Sequence, residues 1–526
     1  MREKKTLPKR NEQGKAILVS LLVALALSAG CASIDFDHPR VASTAVLDTS
    51  DTYLARSVAT LSESACDGCS GFYPIGNGIN AFGARLLLAE RAERTIDTQY
   101  YLVKPDKTGL AFLDALLRAA DRGVRVRLLV DDMFVIGKDH GMAALDAHPN
   151  LEIRVVNPFR RGKAGLLWSG LTDFSRVTRR MHAKSFTVDS QVTILGGRNI
   201  ADEYFGANED ARFNDLDVAG IGSVARDASL MFDTYWNHET ALPLPAFADM
   251  PADPASELEG LRIHLASVLG DMGETQYARA VKDAVLGLAD GDGRHYQWVP
   301  YRLVYDSPDK HTRSGDGPAL SINAPLVDAF SVAQHEAIIL TPYFVLGKEA
   351  IEGLGRLQER GVAVTVITNS LAANNHSVVH GDYAPSRKPL LESGVRIYEM
   401  RPDAGVAGAE IAAAGDAKAT LHTKAFIVDR KTSFIGSFNF NQRSINRDSE
   451  SGVLIASEEI SQEFAESIDK HLQDVAWELF LDEKGRLRWR GYDDGRETIY
   501  TKDPESTWRQ RLVATLARIL PIKSQL

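Results

Sequence analysis

The apolar positions of this 526-residue chain fall into a pattern that occurs twice. Thr95-Ile96-Asp97-Thr98-Gln99-Tyr100-Tyr101 reads as a strand, Phe112 to Ala120 as a helix with an apolar stripe, and Val124-Arg125-Val126-Arg127-Leu128-Leu129-Val130-Asp131-Asp132 as a buried strand behind the Gly123 stop. Ala337 to Tyr343, Ile351 to Leu357 and Val362 to Ser370 repeat that order, Arg360-Gly361 standing 238 residues after Arg122-Gly123. Strand, helix and strand in succession predict parallel pairing through right-handed crossovers, so two tandem α/β units are expected.

A different pattern opens the chain. Arg2, Lys4, Lys5, Lys9, Arg10 and Lys15 precede an apolar run from Ala16 to Ala29, whose 14 residues reach only about 21 Å as a helix, short for a membrane span. Residues 1–30 therefore read as a targeting segment, and Leu27-Ser28-Ala29-Gly30-Cys31 resembles a bacterial lipoprotein signal lipidated at Cys31. The expected location is the cell envelope, anchored and facing the periplasm. Ala32 favours the outer membrane, with plain secretion or a retained interfacial anchor as alternatives. Residues 31–70 read as a linker holding Cys66-Asp67-Gly68-Cys69, a pair that an oxidising compartment would close into a disulfide and a reducing one would leave as thiols. The remaining divisions are a first domain over 71–250, a helical connection over 251–315, a second domain over 316–480 and an extension over 481–526. In that extension Trp508, Leu512, Leu516 and Leu520 share a helical face, with Arg509, Arg511 and Arg518 elsewhere. Such a helix can lie on an anionic membrane or pack on a domain surface. Gly165 to Leu171 has the same two readings, contact with acyl chains or a buried loop.

The chemistry sits in a second repeated segment. Met181-His182-Ala183-Lys184-Ser185-Phe186-Thr187-Val188-Asp189 recurs as Leu421-His422-Thr423-Lys424-Ala425-Phe426-Ile427-Val428-Asp429, and Gly196 and Asn199 follow the first histidine at the spacing at which Gly436 and Asn439 follow the second. Residues two apart on a strand share a face, so each histidine stands beside a lysine. That pairing makes a poor metal site, because an ammonium opposes a nearby cation. It makes a good phosphate site: Lys184 and Lys424 supply charge, Asn199 and Asn439 donate hydrogen bonds, and Gly196, Gly197 and Gly436 are expected to let backbone approach the anion. With the halves facing each other, one histidine can attack phosphorus while the other protonates the leaving oxygen. Asp189 and Asp429 complete the candidate catalytic set. Their odd spacing, up to about 23 Å along a strand, favours a structural role at the strand end. Asp215-Leu216-Asp217 and Asp448-Ser449-Glu450 align as a pair, and Asp217 and Glu450 are the candidates for orienting the histidines.

Paired motifs of this form, with the glycine and asparagine that follow, resemble the phospholipase D superfamily from about Gly71 to the C-terminus. Gly196-Gly197-Arg198-Asn199-Ile200, Asp202-Glu203-Tyr204-Phe205, Asp215-Leu216-Asp217-Val218, Pro342-Tyr343-Phe344 and Thr368-Asn369-Ser370-Leu371 are similar to its bacterial cardiolipin synthase C branch. The resemblance implies two α-β-α domains related by a pseudo-twofold axis, a phosphohistidine intermediate, no metal or other cofactor, and attack on a phosphodiester by water or an alcohol. It also implies that His182 is the nucleophile and His422 the general acid. Asn374-Asn375 replaces the Thr-Asp usual in that branch, which leaves acceptor choice open.

Charge then narrows the substrate. Residues 1–30 carry six basic and two acidic side chains, a surplus of four, so the rest of the chain is at −14 against −10 for the whole. No global cationic field holds a nucleic acid, and a nuclease is disfavoured. The expected partners are a phospholipid substrate and a membrane surface, and the sequence sets no oligomeric state. Phosphatidyl transfer to make cardiolipin comes first, hydrolysis of phospholipid to phosphatidic acid second.

Overall fold

The computed structural model describes residues 34–63, 65–273, 275–289, 296–312, 321–402, 418–493 and 495–518, so Cys31 and Leu520 lie outside the described residues. The first half contributes β1 (Ser70–Ile75), β2 (Thr95–Tyr100), β3 (Arg125–Asp131), β4 (Leu151–Val156), β5 (Ser185–Val188), β6 (Val192–Gly196), β7 (Ala211–Asn214), β8 (Asp217–Gly222), β9 (Ala241–Pro243) and β10 (Gln297–Val299). The second contributes β11 (Tyr301–Tyr305), β12 (Glu336–Leu340), β13 (Ala363–Asn369), β14 (Arg396–Met400), β15 (Lys418–Leu421), β16 (Ala425–Val428), β17 (Thr432–Gly436), β18 (Ser451–Ala456), β19 (Ala476–Leu481), β20 (Leu487–Asp493) and β21 (Arg496–Tyr500). The sheet orders, β10-β1-β8-β6-β5-β2-β3-β4-β9 and β11-β18-β17-β16-β12-β13-β14-β19-β20-β21, repeat one topology with different edges.

Within the two large sheets, parallel pairing of the strands is confined to β2–β3–β4 and β12–β13–β14. The motif strands β5 and β16 run antiparallel to β2 and β12, so each sheet is mixed rather than parallel throughout. β5–β6 and β16–β17 are hairpins turned by Asp189-Ser190 and Asp429-Arg430, all four at φ of 51–52°, and because a tight turn needs no crossover helix they add β6 and β17 as further antiparallel strands.

Side-chain alternation distributes the strands between two kinds of core. Along β6, Ile194 joins a cluster with Phe82 and Phe112 of the helices Gly78–Arg91 and Lys107–Asp121, whereas Leu195 faces Phe232 and Trp236 of the helix Ser223–Trp236. Along β18, Leu454 turns into the second half's own core, while Val453 and Ile455 join Leu195, Phe232 and Trp236. The halves thus share one buried apolar layer, and β6 and β8 meet β17 and β18 across it.

Several boundaries differ from those expected. The helices Pro254–Gly273 and Gln276–Ala289 pack on the first half, and the two sheets meet at Pro300, since β10 closes one and β11 opens the other. β20 and β21 extend the second sheet to Tyr500, so the segment after 480 begins as sheet. Residues 41–44 are pinned to the first sheet: Arg154 donates to the Val41 carbonyl at 2.6 Å, Arg127 to Ser43 at 2.9 Å and Arg125 to Thr44 at 2.8 Å. Cys66 and Cys69 form a disulfide.

Asp189 and Asp429 act on the backbone. The Asp189 carboxylate accepts the N–H groups of Glu93, Arg94 and Thr95 at 3.1, 2.8 and 2.9 Å, and Asp429 accepts those of Gln334, His335 and Glu336 at 2.9, 2.7 and 2.9 Å. Each fixes the start of a central strand, away from its histidine, which corrects their inclusion in the catalytic set. Asp189→Ala leaves three donors without their acceptor and should cost about 1–3 kcal/mol, a drop of a few degrees in Tm, with turnover per folded molecule retained. Thermal melts paired with activity measurements check this, and an unchanged melt with lost turnover would contradict it.

Candidate active site

Each motif histidine is held by backbone of the opposite half. The His182 N–H donates to the Ser449 carbonyl at 2.8 Å, and Met181 bridges Ser449 in parallel register. The His422 N–H donates to the Asn214 carbonyl at 2.7 Å, where β15 pairs with β7 in a two-stranded ribbon joining the halves. Ser449 and Asn214 immediately precede Glu450 and Asp215, and those two carboxylates accept hydrogen bonds from the rings. His182 Nδ1 donates to Glu450 Oε2 at 2.8 Å, and His422 Nδ1 donates to Asp215 Oδ2 at 2.5 Å. Each motif histidine is therefore oriented by the other half's acid, and Nε2 of each ring is turned away from its carboxylate.

The acids are themselves fixed. Ser437 and Ser444 donate hydroxyls to the two oxygens of Glu450, at 2.5 and 2.6 Å. Gly197 gives Asp215 its place, since a methyl group there would collide with that carboxylate, and a methyl at Gly436 would sit 2.5 Å from the Ser451 carbonyl. Gly196 is likewise closed off by Leu216 and Asp217. These glycines admit the acid-bearing strand, which corrects the expectation that they open the backbone to an anion.

Burial and the lysines set the electrostatics. Burial, then the charges of Lys184 and Lys424, holds His182 well below the usual histidine range. Burial, with the Lys424 charge adding, brings His422 down to about 3. Burial also lowers Lys184 to about 7 and Lys424 to about 8, the carboxylates offsetting part of the cost. Burial pushes Glu450 up despite Lys184 and the two serines, whereas Asp215 ends below its usual value because Lys424 and His422 outweigh its burial. Lys184 Nζ and Lys424 Nζ each donate to the carbonyl of their own histidine, so both ammonium groups lie beside the rings.

Aromatic rings wall the site. Tyr101 meets His182 edge-on with centroids 5.1 Å apart, Tyr204 meets His422 edge-on at 5.0 Å, and Phe213 lies flat against His422 at 5.1 Å. Asn199 Nδ2 donates to the Tyr204 hydroxyl at 2.8 Å, while its Oδ1 and that of Asn439 are buried without a partner among the described residues. A cavity of about 610 Å³ borders Tyr204, Phe213 and Asp215 and is lined by neither motif histidine nor motif lysine.

Asp217 does not orient a histidine. It pairs with Arg85 at 2.9 Å and Arg198 at 3.5 Å in the first half's interior. The letter match of Asp217 to Glu450 is two residues out of register: Asp217 pairs on the neighbouring strand with Gly196, as Gly452 does with Gly436, which makes Asp215 the equivalent of Glu450. Counting strand positions from those glycines recovers Asp215, whereas Tyr101, Phe213, Ser437 and Ser444 carry no signal in spacing.

The comparisons with known proteins agree with this geometry. The family described as "Cardiolipin synthase, PLD-like domain" matches residues 87–226 and 326–472. Cardiolipin synthase C of Escherichia coli (strain K12) is 40% identical over 471 residues, covering 87% of this chain and 96% of its own length. A cardiolipin synthase of Clostridium perfringens (strain SM101 / Type A) is 25% identical over 387 residues, 73% of this chain and 66% of its own. The crystal structure of phosphatidylserine synthase from Haemophilus influenzae Rd KW20 shares the fold, with a TM-score of 0.57 at 14% identity over 89% of this chain and 100% of that one. With two family matches centred on the two motif-bearing sheets, the chain belongs to the PLD-like cardiolipin synthase family.

Proposed function

We propose that this chain is a phosphatidyltransferase that joins two phospholipids into cardiolipin through a phosphohistidine on His182. The observation that carries the reading is the exchange of acids: Glu450 and Asp215 fix Nδ1 of the two imidazoles, leaving Nε2 of each for the substrate. His182 Nε2 forms a bond to phosphorus as the bond to the leaving alcohol breaks, and His422, which takes up a second proton on Nε2 when the phosphate anion binds beside it, gives that proton to the alkoxide. The acceptor hydroxyl then passes its proton to His422 as its oxygen attacks phosphorus. The N–P bond breaks and both rings are restored. One phosphodiester becomes another, so no nucleotide is consumed. Lys184, Lys424, Asn199 and Asn439 bind the non-bridging oxygens, and an incoming phosphate monoanion restores the charge that burial withdraws from the lysines. Water in place of the acceptor alcohol gives hydrolysis by the same steps.

The purified enzyme on phosphatidylglycerol vesicles should release glycerol and form cardiolipin; phosphatidic acid alone would establish the hydrolytic reading. His182→Ala should lose both this reaction and cleavage of a nitrophenyl phosphodiester. His422→Ala should keep the nitrophenyl reaction, whose leaving group needs no proton. Glu450→Gln should follow His182→Ala and Asp215→Asn should follow His422→Ala, each by up to about 10⁴-fold, as for an acid that fixes a catalytic imidazole. The opposite pairing would overturn the assignment of acids to histidines.

Affinity for an unreactive phosphonate analogue should fall as pH rises. Both lysines have lowered pKa values, near 7 and 8, so they are charged below that window and neutral above it. An anion bound above it must bring a proton with it, at a cost of up to about tenfold per pH unit for each lysine. Calorimetric affinity that stays level from pH 6 to 9 would contradict this.

A further inference from the structure

Two exposed apolar helices stand at the rim of the site, one from each half. The helix Gly162–Thr172 and the turn after it expose Leu167, Trp168, Leu171 and Phe174, at 61, 38, 70 and 51%. Its root is close to the chemistry: Arg161 pairs with Asp132 at the end of β3, and Phe134 two residues on touches Tyr101, which touches His182. The helix Trp508–Ala517 exposes Trp508, Leu512, Val513 and Leu516, at 65, 49, 42 and 53%, and buries Ala514 and Ala517. Gln510 ties it to the Leu371 carbonyl, just beyond Asn369, which bonds both backbone groups of Leu421 next to His422. Both helices thus hang from the ends of the strands that border the two histidines.

Their charges match their apolar faces. Lys163, Arg509 and Arg518 are exposed and make no ion pair among the described residues, with Arg509 lying against the Trp508 ring at 5.5 Å. On a chain of net charge −10, cations that flank exposed tryptophan and leucine fit an anionic lipid–water interface, where the rings and aliphatic groups enter the acyl boundary and the cations meet headgroup phosphate. Burying eight such side chains in a protein core would leave the arginines without counter-charge.

We infer that these two helices seat the mouth of the active site on an anionic phospholipid bilayer, Leu167, Trp168, Leu171 and Phe174 on one side and Trp508, Leu512, Val513 and Leu516 on the other. A headgroup can then reach His182 and His422 while its acyl chains stay in the membrane. This rests on phospholipid as the substrate, yet contact with a bilayer can be read independently of turnover.

Trp168 and Trp508 serve as reporters, because Trp236, Trp477 and Trp489 are buried and Trp298 is half-buried in β10 at the edge of the first sheet. The full-length protein is mixed with vesicles of phosphatidylglycerol and phosphatidylethanolamine that carry brominated acyl chains. Its tryptophan emission should be quenched, and Trp168→Phe with Trp508→Phe should remove most of that quenching. In parallel, Leu171→Glu with Leu512→Glu should slow turnover of vesicle phospholipid by about tenfold or more, as expected when an interfacial apolar face is lost, while leaving the soluble nitrophenyl phosphodiester reaction unchanged. Absence of quenching in protein that co-sediments with the vesicles overturns the inference. So does quenching that survives the double tryptophan change, or an unquenched dimer showing that these faces cover a second copy. If quenching follows the prediction and no cardiolipin forms, the bilayer contact stands and the transfer reading fails.

Discussion

The structure depends on an exchange of carboxylates between halves. Neither α/β unit holds a complete set of groups: the first presents His182, whose orienting acid is Glu450, and the second presents His422, whose acid is Asp215. The backbone makes the same exchange through the His182–Ser449 and His422–Asn214 hydrogen bonds. An imidazole held only by its own unit could rotate as the units shift. Here ring orientation and inter-half register are one constraint, supported by the shared apolar layer of Leu195, Phe232, Trp236, Val453 and Ile455.

The exchange also governs the electrostatics. Two buried imidazoles beside two buried ammonium groups would be costly without compensation, and the compensation is Glu450 and Asp215 at full burial. The halves are not electrically equal. Glu450 lies above its ordinary pKa and is held by two serine hydroxyls, while Asp215 lies below its own and faces Lys424 and His422. Near-identical motifs thereby acquire different environments, which a division of roles between the histidines requires.

Much of this was legible in the sequence. The strand–helix–strand repeat and the paired His-x-Lys segments are local patterns, and period-two alternation alone puts His182 with Lys184 and His422 with Lys424. Pairings between distant segments were harder to read. Matching residue letters points to Asp217 rather than Asp215 because it ignores sheet register, whereas in the fold Asp217 stands opposite Gly196 and turns to Arg85. Glycines that follow a histidine and a lysine read as room for an anion, yet the space they clear is filled by the acid-bearing strand. β20 and β21 leave no mark in the repeat, since they lie beyond it, at an edge the first half lacks.

The central claim is that Glu450 presents Nε2 of His182 to phosphorus. The direct measurement is to trap the covalent intermediate by acid-free quenching with labelled phospholipid, then locate the phosphoryl group by peptide mapping and phosphorus NMR. The account predicts a single adduct on Nε2 of His182, strongly reduced in Glu450→Gln and still formed in Asp215→Asn with a nitrophenyl substrate. An adduct on Nδ1 of His182, or on His422, would contradict it.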